Sequence, residues 1–373
     1  MKKALILGGS NSLKKNGISL GLSKHLDIQN LALGASTSLQ NLYEIIRNKD
    51  AVLSSDLIIT ESNVNDFHNF NELGYDYNVL ENNIKLFYQQ LSMFNKKILV
   101  LILPLQTKRF HNSEKINEIH RGCISRYGFN LIDMDRFYIQ SNISEFYYFE
   151  NLDHPLDCIM RKLGEVIGEN LSLLEVNETN KFNSQNGFQV ISNLSNKKIK
   201  KENSRFREVT NIIEENVSIN INNIIPLGVH SWSNTRSNYK MVNGDIEMVK
   251  ATNSECQFHE VQQVFGDVSS WKLTGTCEVE TEKSIRCSNK AIDGRANIIS
   301  VFTCENRNIL EFCSVKPEND MTYLLKFISE YKTFFEHYTS SKRFMSKWLR
   351  IIYKYRKFLP YEQARFLYSC LKK

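Results

Sequence analysis

A short apolar run that ends in two glycines and a serine, Lys3-Ala4-Leu5-Ile6-Leu7-Gly8-Gly9-Ser10-Asn11-Ser12, predicts the fold of the amino-terminal half of this chain. The apolar part is typical of a buried strand, and the two glycines allow the backbone to turn sharply after it. This turn would place the hydroxyl of Ser10 at the carboxyl end of the strand, where open α/β sheets carry their chemistry. A strand followed by glycines also opens nucleotide-binding folds, so the stretch alone leaves two interpretations.

Strand and helix patterns alternate from this stretch to about residue 172. Helical patterns, the last of them at 155–171, separate five apolar runs, which lie at 4–7, 28–33, 57–60, 98–103 and 130–134. Strands that alternate with helices form parallel sheets with helices on both faces. Residues 1–172 are therefore predicted to be a three-layer, flavodoxin-like α/β domain with a parallel five-stranded sheet.

The rest of the chain changes character twice. Residues 173–205 are rich in asparagine and lysine with little apolar periodicity, which predicts a polar linker. Residues 206–318 contain short alternating runs separated by turn signals, a pattern typical of a β-sandwich or jelly roll. Residues 319–373 follow a helical pattern with aromatic stripes, which predicts a basic helical tail at the C-terminal end.

The net charge of +6 belongs to the last part of this tail. Residues 341–373 contain ten basic residues and one acidic residue, so they carry +9 and the rest of the chain sums to −3. A basic end on a slightly acidic body does not favour nucleic-acid binding, and no nucleic-acid partner is predicted. Two interpretations of the tail stay open: it lies on an anionic membrane surface through its cations and Trp348, or it packs on the body with a solvated basic face.

Cysteine usage and hydropathy indicate the compartment. The eight cysteines include no C-x-x-C pair, and the apolar run after Lys2 is shorter than the ~7–15 residues of a secretory signal core. No apolar stretch approaches the ~20 residues of a membrane span. These features predict a cytoplasmic protein, peripheral at the inner membrane face if the tail binds lipid; disulfides within 256–313 are an open alternative. The histidines show no metal-ligand spacing, so neither a metal nor a bound cofactor is predicted.

Polar residues follow the strands of the predicted sheet at its carboxyl edge. Attack on an ester requires a nucleophile, a base that takes its proton, and donors for the developing oxyanion. Ser10 is the candidate nucleophile, and His154, after the fifth strand, is the candidate base. Gly34 after the second strand can offer its backbone N–H to the oxyanion, and Asn65 after the third strand can offer its side-chain amide. The sheet would bring these groups to one edge.

Four segments resemble blocks I, II, III and V of the SGNH (GDSL-like) hydrolase superfamily, over about residues 1–172. Gly8-Gly9-Ser10-Asn11-Ser12 stands where that family has Gly-Asp-Ser, and Gly34 stands at the block II glycine. Asn63-Val64-Asn65-Asp66 stands for Gly-x-Asn-Asp, and Asn151-Leu152-Asp153-His154 stands for Asp-x-x-His. The resemblance implies the nucleophile and base named above, and an oxyanion hole formed by the Ser10 N–H, the Gly34 N–H and the Asn65 side chain.

Three positions depart from the family pattern. Gly9 replaces the usual aspartate, a change that we expect to leave the mechanism intact. Asn63 replaces the block III glycine, which predicts a differently shaped loop. Asn151 occupies the position of the triad acid, whose role is to hold the tautomer of the histidine and stabilise its charged form. Asp153 or Glu150 could take that role, or a backbone carbonyl could do so and leave a Ser–His dyad.

The resemblance implies a serine-dependent enzyme of the polysaccharide-modifying type that acts on acyl esters of carbohydrate through an acyl-serine intermediate. O-acetyltransferase and acetylesterase differ only in the acceptor, and acetyl-CoA is a candidate co-substrate for the former. A bacterial surface polysaccharide or its precursor is the expected glycan. The alternative is a catalytically inactive SGNH-like carbohydrate-binding or scaffold protein, motivated by Asn63 and Asn151, in which His154 would not contact Ser10. A phosphate-binding turn is a third hypothesis, weakened by the lack of a third glycine.

A cluster of aromatic and polar residues in the β-rich region is a candidate sugar-binding surface. His230, Trp232, Arg236 and Tyr239 lie within ten residues of sequence, and aromatic faces with planar donors suit sugar rings. The alternative interpretation is a buried tryptophan with solvated neighbours.

Overall fold

The computed structural model describes residues 1–104, 113–143, 154–177, 186–215, 217–222, 224–262, 270–284, 291–309 and 317–329. The amino-terminal part is built on five strands, which are β1 (Lys3–Leu7), β2 (Asp27–Asn30), β3 (Leu57–Thr60), β4 (Lys97–Ile102) and β5 (Asn130–Asp133). They lie side by side in the order β5-β4-β3-β1-β2, and each neighbouring pair is parallel. The predicted parallel sheet is therefore confirmed, with strand positions within a few residues of the apolar runs.

Helices connect these strands and bury them on both sides. They are α1 (Ser10–Leu13), α2 (Ile18–Leu22), α3 (Ser38–Arg47), α4 (Lys49–Ser54), α5 (Asn63–Leu73), α6 (Tyr77–Ser92), α7 (Ser113–Tyr127), α8 (Met134–Gln140) and α9 (Asp157–Glu169). All four residues of β3 and five of the six residues of β4 are buried, which explains why these strands read as continuous apolar runs. Helix α2 packs against α9, while α3, α6 and α7 pack in sequence beside one another.

The β-rich region contains two antiparallel sheets. Its strands are β6 (Gln189–Ile191), β7 (Lys198–Glu202), β8 (Arg207–Ile213), β9 (Ile219–Asn222), β10 (Ile225–Ser231), β11 (Ser237–Asn243), β12 (Ile246–Thr252), β13 (Gln257–Glu260), β14 (Ser270–Thr276) and β15 (Ala296–Cys304). One sheet has the order β13-β10-β15-β8-β7 with β6 also on β15, and the other has the order β12-β11-β14-β9. Side chains from both sheets share one apolar core, which includes Val229, Ile298, Tyr239 and Trp271.

Strands β6 and β7 lie inside the segment expected to be a polar linker, so that expectation is wrong for these residues. The side chain of Asn211 holds the segment to the sheet: its Nδ2 donates to the carbonyls of Ser192 and Ile298, each at 3.0 Å. Its Oδ1 accepts from the N–H of Leu194 at 3.2 Å. β6 and β7 are short and mostly half-buried or exposed, so they leave only a weak apolar pattern in the sequence. The domain boundaries 1–172 and 206–318 stay predictions.

A sixth strand joins the first sheet from beyond the β-rich region. β16 (Asn319–Asp320) pairs in parallel with β5, and a 3₁₀ helix over Thr322–Lys326 follows it. The Asn319 side chain donates to Asn130 Oδ1 at 2.7 Å. The sheet therefore has six strands instead of the expected five, and residues 319–329 belong to its edge instead of starting the tail. The predicted basic helices within 330–373 lie outside the described residues.

Hydropathy and thiol state bear on the expected compartment. Within the described ranges, no helix is both long and apolar enough to cross a membrane. Cys256, Cys277 and Cys304 are free thiols, while Cys287 and Cys313 lie outside the described residues.

Candidate active site

The candidate nucleophile and base are in hydrogen-bonding contact. Ser10 is the first residue of α1, directly after the Gly8-Gly9 turn that ends β1. His154 lies just before α9, and its Nε2 is 2.8 Å from Ser10 Oγ. Both side chains are half-buried. With Nε2 unprotonated, the Ser10 hydroxyl donates to it, which is the geometry a general base needs in order to take the proton of a serine.

A close helix crossing supports this contact. Ser10 lies in α1, a short loop before α2, and His154 lies three residues before α9, so we expect the spacing of α2 and α9 to affect the separation of the two residues. A Cβ at Gly164 would lie 2.3 Å from the carbonyl oxygen of Ile18, and a Cβ at Gly21 would lie 2.0 Å from that of Arg161. Glycine at both positions therefore allows backbone-to-backbone contact between α2 and α9.

Asn65 lies beside the nucleophile turn. A Cβ built on Gly9 would be 2.0 Å from Asn65 Nδ2, so the absence of a side chain at Gly9 is what makes room for the amide. The backbone of Gly9 has φ −92°, so the requirement is for space and not for an unusual conformation. Asn65 Nδ2 also donates to the carbonyl of Ser36 at 2.8 Å. An amide NH₂ carries two donors, and among the described residues only one of them is used, so the second can donate to an oxyanion.

The loop after β2 completes the edge of the site. The Leu33 N–H donates to the Gly8 carbonyl at 3.0 Å, which fixes this loop beside the nucleophile turn. A tight turn follows, in which the Ser36 N–H donates to the Leu33 carbonyl at 3.2 Å and Ala35 has φ +61°. A Cβ at Gly34 would meet no heavy atom within 4 Å, so Gly34 borders open space.

Glu61 is part of the site and was not predicted from the sequence. Its Oε1 accepts from the Gly9 N–H at 2.7 Å and from Ser12 Oγ at 3.0 Å, so the carboxyl group is bonded to the residues on both sides of the nucleophile Ser10. Glu61 is only 2% exposed, and burial raises its pKa to about 7 against the opposite effect of these hydrogen bonds. Its Oε2 is buried without a hydrogen-bond partner among the described residues, which further favours the protonated form.

The Asn63 side chain explains one departure from the family pattern. Its Nδ2 donates to the Leu103 carbonyl at 2.8 Å, and its Oδ1 accepts from the Leu103 N–H at 3.1 Å. Asn63 Nδ2 also donates to Asn117 Oδ1 at 2.8 Å. The asparagine therefore joins the start of α5 to the end of β4 and to α7, contacts that a glycine could not make.

Asp66 anchors the same segment on its other side. It accepts hydrogen bonds from the Ser38 N–H at 3.0 Å and from Ser38 Oγ at 2.7 Å, at the first turn of α3. His120 Nε2 lies 3.1 Å from its Oδ2. Asp66 is thus a buried structural carboxylate that fixes α5 against α3 and α7.

The candidates for the triad acid, Asp153, Glu150 and the position of Asn151, lie outside the described residues.

The four residues of the candidate sugar-binding cluster do not form one surface. Tyr239 is fully buried in the core between the two β-sheets. His230 is buried against Tyr43 of α3, with 2.9 Å between Nδ1 and the tyrosine hydroxyl. Trp232 is 8% exposed and donates its Nε1–H to the Ser254 carbonyl, while Arg236 is exposed. Trp232 is buried and Arg236 is exposed, as the alternative interpretation expects, but the neighbours His230 and Tyr239 are buried instead of solvated.

Comparison with known proteins gives similarity of fold only. No protein-family model matches the chain, and no curated protein matches it. The solved structures similar to it include a lipase/acylhydrolase from Enterococcus faecalis, at 12% identity and a TM-score of 0.38, covering 48% of this chain and 100% of that one. The acetyl xylan esterase AlAXEase has 17% identity and a TM-score of 0.36, with 43% and 96% covered. A GDSL-like lipase from Parabacteroides merdae has 13% identity and a TM-score of 0.37, with 47% and 98% covered. The chemistry assigned to this chain therefore rests on its own side chains.

Proposed function

We propose that this protein is a serine-dependent enzyme that cleaves or transfers the acyl group of an ester, with carbohydrate as the substrate class. The observation that carries the proposal is the 2.8 Å contact between Ser10 Oγ and His154 Nε2. It lies at the carboxyl edge of a parallel sheet, the place where open α/β folds bind their ligands.

The site supports a two-step reaction. His154 Nε2 takes the proton of Ser10 while Ser10 Oγ attacks the ester carbonyl and the carbonyl oxygen becomes an oxyanion. The Ser10 N–H, the Gly34 N–H and the second donor of Asn65 Nδ2 are the groups that would stabilise this oxyanion. Collapse breaks the bond to the leaving alkoxide, which receives the proton from His154, and leaves Ser10 acylated.

The acceptor in the second step decides between the two activities. Water activated by His154 gives hydrolysis and releases the acid, while a sugar hydroxyl activated in the same way gives O-acylation of the sugar. Acetyl-CoA is the proposed donor in the second case, with the thiol of coenzyme A leaving in the first step. The β-rich region, which packs against helix α3 of the amino-terminal part, supports carbohydrate as substrate by family analogy. Peripheral membrane contact through the basic tail, at the cytoplasmic face, remains part of the proposal.

The geometry disfavours both alternatives. An inactive scaffold predicts that His154 does not contact Ser10, whereas the two side chains lie at hydrogen-bonding distance. A phosphate-binding turn needs free backbone donors, whereas the Gly9 N–H is bonded to the buried Glu61 carboxyl.

Acetate release from a peracetylated monosaccharide, and thiol release from acetyl-CoA with and without a sugar acceptor, test the proposal. Wild type should turn over at least one of these substrates, and Ser10→Ala and His154→Ala should lose about 10³-fold or more of that rate. Ser23→Ala is the matched control, because Ser23 is an exposed serine whose hydroxyl bonds only to the Leu20 carbonyl of its own helix among the described residues. Equal rates for wild type and Ser10→Ala would refute the proposal.

A further inference from the structure

Helix α3 connects the oxyanion loop, defined here as residues 34–37, to the β-rich region. Thr37 is the N-cap of α3, and its Oγ1 accepts from the Gln40 N–H at 3.3 Å. The same hydroxyl donates to Oε1 of Glu260, a residue 223 positions later in the chain. The last residue of the loop is therefore held by a carboxyl group from β13.

Glu260 is buried where the two parts of the chain meet. It is 2% exposed, and its Oε2 accepts from Asn83 Nδ2 of α6 at 2.9 Å. Both carboxyl oxygens thus accept hydrogen bonds from the amino-terminal part, although Glu260 belongs to the β-rich region. Lys250, which is 1% exposed, donates to the backbone carbonyl of Glu260 and lies 3.3 Å from Glu282. This lysine therefore holds the backbone at the end of β13 in place.

The oxyanion loop requires such support because it contains a strained residue. Ala35 has φ +61°, a conformation that costs free energy for any residue with a Cβ and persists only where its surroundings hold it. On one side of Ala35, Leu33 is bonded to Gly8. On the other side, Ser36 is held by Asn65 and Thr37 by Glu260.

We propose that Glu260 is a positioning residue of the active site, through which the β-rich region fixes the oxyanion loop and the direction of the Gly34 N–H. This inference deepens the proposed function and rests on it for its catalytic part. The β-rich region then contributes to the chemistry of the first domain as well as lying beside it. Neither Glu260 nor Thr37 touches the reacting atoms in this role.

The other end of the same helix provides a matched control. Arg47, the last residue of α3, forms an ion pair with Glu208 of β8. Glu208 and Glu260 therefore both join α3 to the β-rich region, but only Glu260 does so beside the oxyanion loop. A purely architectural role predicts the same behaviour for Glu208→Gln and Glu260→Gln.

Amide hydrogen exchange in the full-length protein tests the positioning directly and needs no activity. In Glu260→Gln the new side-chain NH₂ must face one of the two donors, Thr37 Oγ1 or Asn83 Nδ2, and two donors cannot form a hydrogen bond. The loop then loses part of its support, so amide exchange in residues 33–37 should rise by about tenfold or more. Glu208→Gln should leave residues 33–37 unchanged. Equal exchange in residues 33–37 for the two variants would overturn the proposal. If Glu260→Gln does not fold, Thr37→Val removes the same hydrogen bond from the other side, together with the N-cap bond from the Gln40 N–H, and should raise exchange in residues 33–37 at least as much.

Steady-state kinetics test the catalytic consequence. Glu260→Gln and Thr37→Val should each lower kcat by about 10- to 100-fold with KM within threefold, since a loop displaced by about 1 Å loses transition-state stabilisation more than binding. Thr37→Ser keeps the hydroxyl and should restore kcat, and the double variant should lose no more than either single one. Unchanged kcat in Glu260→Gln would overturn the inference. Absence of any Ser10-dependent turnover in wild type would instead refute the proposed function, and the exchange result would still decide whether Glu260 holds the loop.

Discussion

Replacement of Gly9 by alanine should disable the site while leaving the fold in place. The new Cβ would lie 2.0 Å from Asn65 Nδ2, and ordinary contact begins at 3.4 Å, so the amide must move by about 1.4 Å. Such a shift breaks the 2.8 Å hydrogen bond from Asn65 to the Ser36 carbonyl and withdraws a donor from the oxyanion.

The expected loss follows from what oxyanion donors contribute. Removal of one such donor costs about 10²- to 10³-fold in kcat, and a displacement of about 1 Å can cost about 10²-fold. We therefore expect Gly9→Ala to lower kcat by about 100-fold, or about 2.7 kcal/mol of transition-state stabilisation. Overpacking of a buried position should lower the free energy of unfolding by about 1–3 kcal/mol.

Hydrolysis of p-nitrophenyl acetate, corrected for the rate of Ser10→Ala, measures the kinetic effect, and thermal unfolding measures the stability. Gly122→Ala in α7 is the control, because a Cβ there would meet no heavy atom within 4 Å. In an Asn65→Ala background, Gly9→Ala has room and should cost less than about threefold further. A kcat for Gly9→Ala within threefold of wild type, or full additivity in the double variant, would refute the reasoning.

Three further perturbations test other contacts of the site. Asn63→Gly removes the paired hydrogen bonds to Leu103 and should lower the free energy of unfolding by about 2–3 kcal/mol in urea titration, whereas an unchanged midpoint would contradict the role given to Asn63. Glu61 has a folded pKa of about 7 against an ordinary value of 4.5, so the folded state holds its proton more tightly. Wild type should therefore lose roughly 3 kcal/mol of stability relative to Glu61→Gln as pH rises from about 4.5 to above 7, and a constant difference across that range would be inconsistent with this account. Gly164→Ala forces a Cβ to within 2.3 Å of the Ile18 carbonyl, so it should separate α2 from α9, lower stability by about 1–3 kcal/mol and slow turnover; full activity would show that this crossing does not set the Ser10–His154 distance.

The sheet could be predicted because a buried parallel strand appears in the sequence as a continuous apolar run. β3 and β4 are buried along nearly their whole length, so each reads as an unbroken apolar run. Ser10 could be proposed because it directly follows such a run at the edge where parallel strands end. His154 lies 21 residues after β5 with α8 between them, so its proposal also needed the resemblance of Asn151-Leu152-Asp153-His154 to Asp-x-x-His. A site residue can therefore be predicted from the sequence where its position directly after a strand is enough to identify it.

Features that depend on distant contacts could not be predicted. Glu61 reads as a loop carboxylate, and only its contact with Gly9, 52 residues earlier, makes it a buried support. β16 consists of two polar residues that pair with β5 through backbone hydrogen bonds, with a further bond from the Asn319 side chain. Glu260 gives no sign in the sequence that it reaches Thr37 across 223 residues. In each case a polar group is paired with a partner from a distant part of the chain, and a local sequence pattern cannot record that.

The most direct test of the central claim is intact-mass labelling of the folded protein with a fluorophosphonate, which reacts with serines that a base has activated. One adduct should form on wild type and none on Ser10→Ala, and His154→Ala should react about 10²-fold more slowly or worse, as expected for loss of a general base. No adduct on folded wild type, or the same adduct on Ser10→Ala, would contradict the assignment of Ser10 as a nucleophile activated by His154.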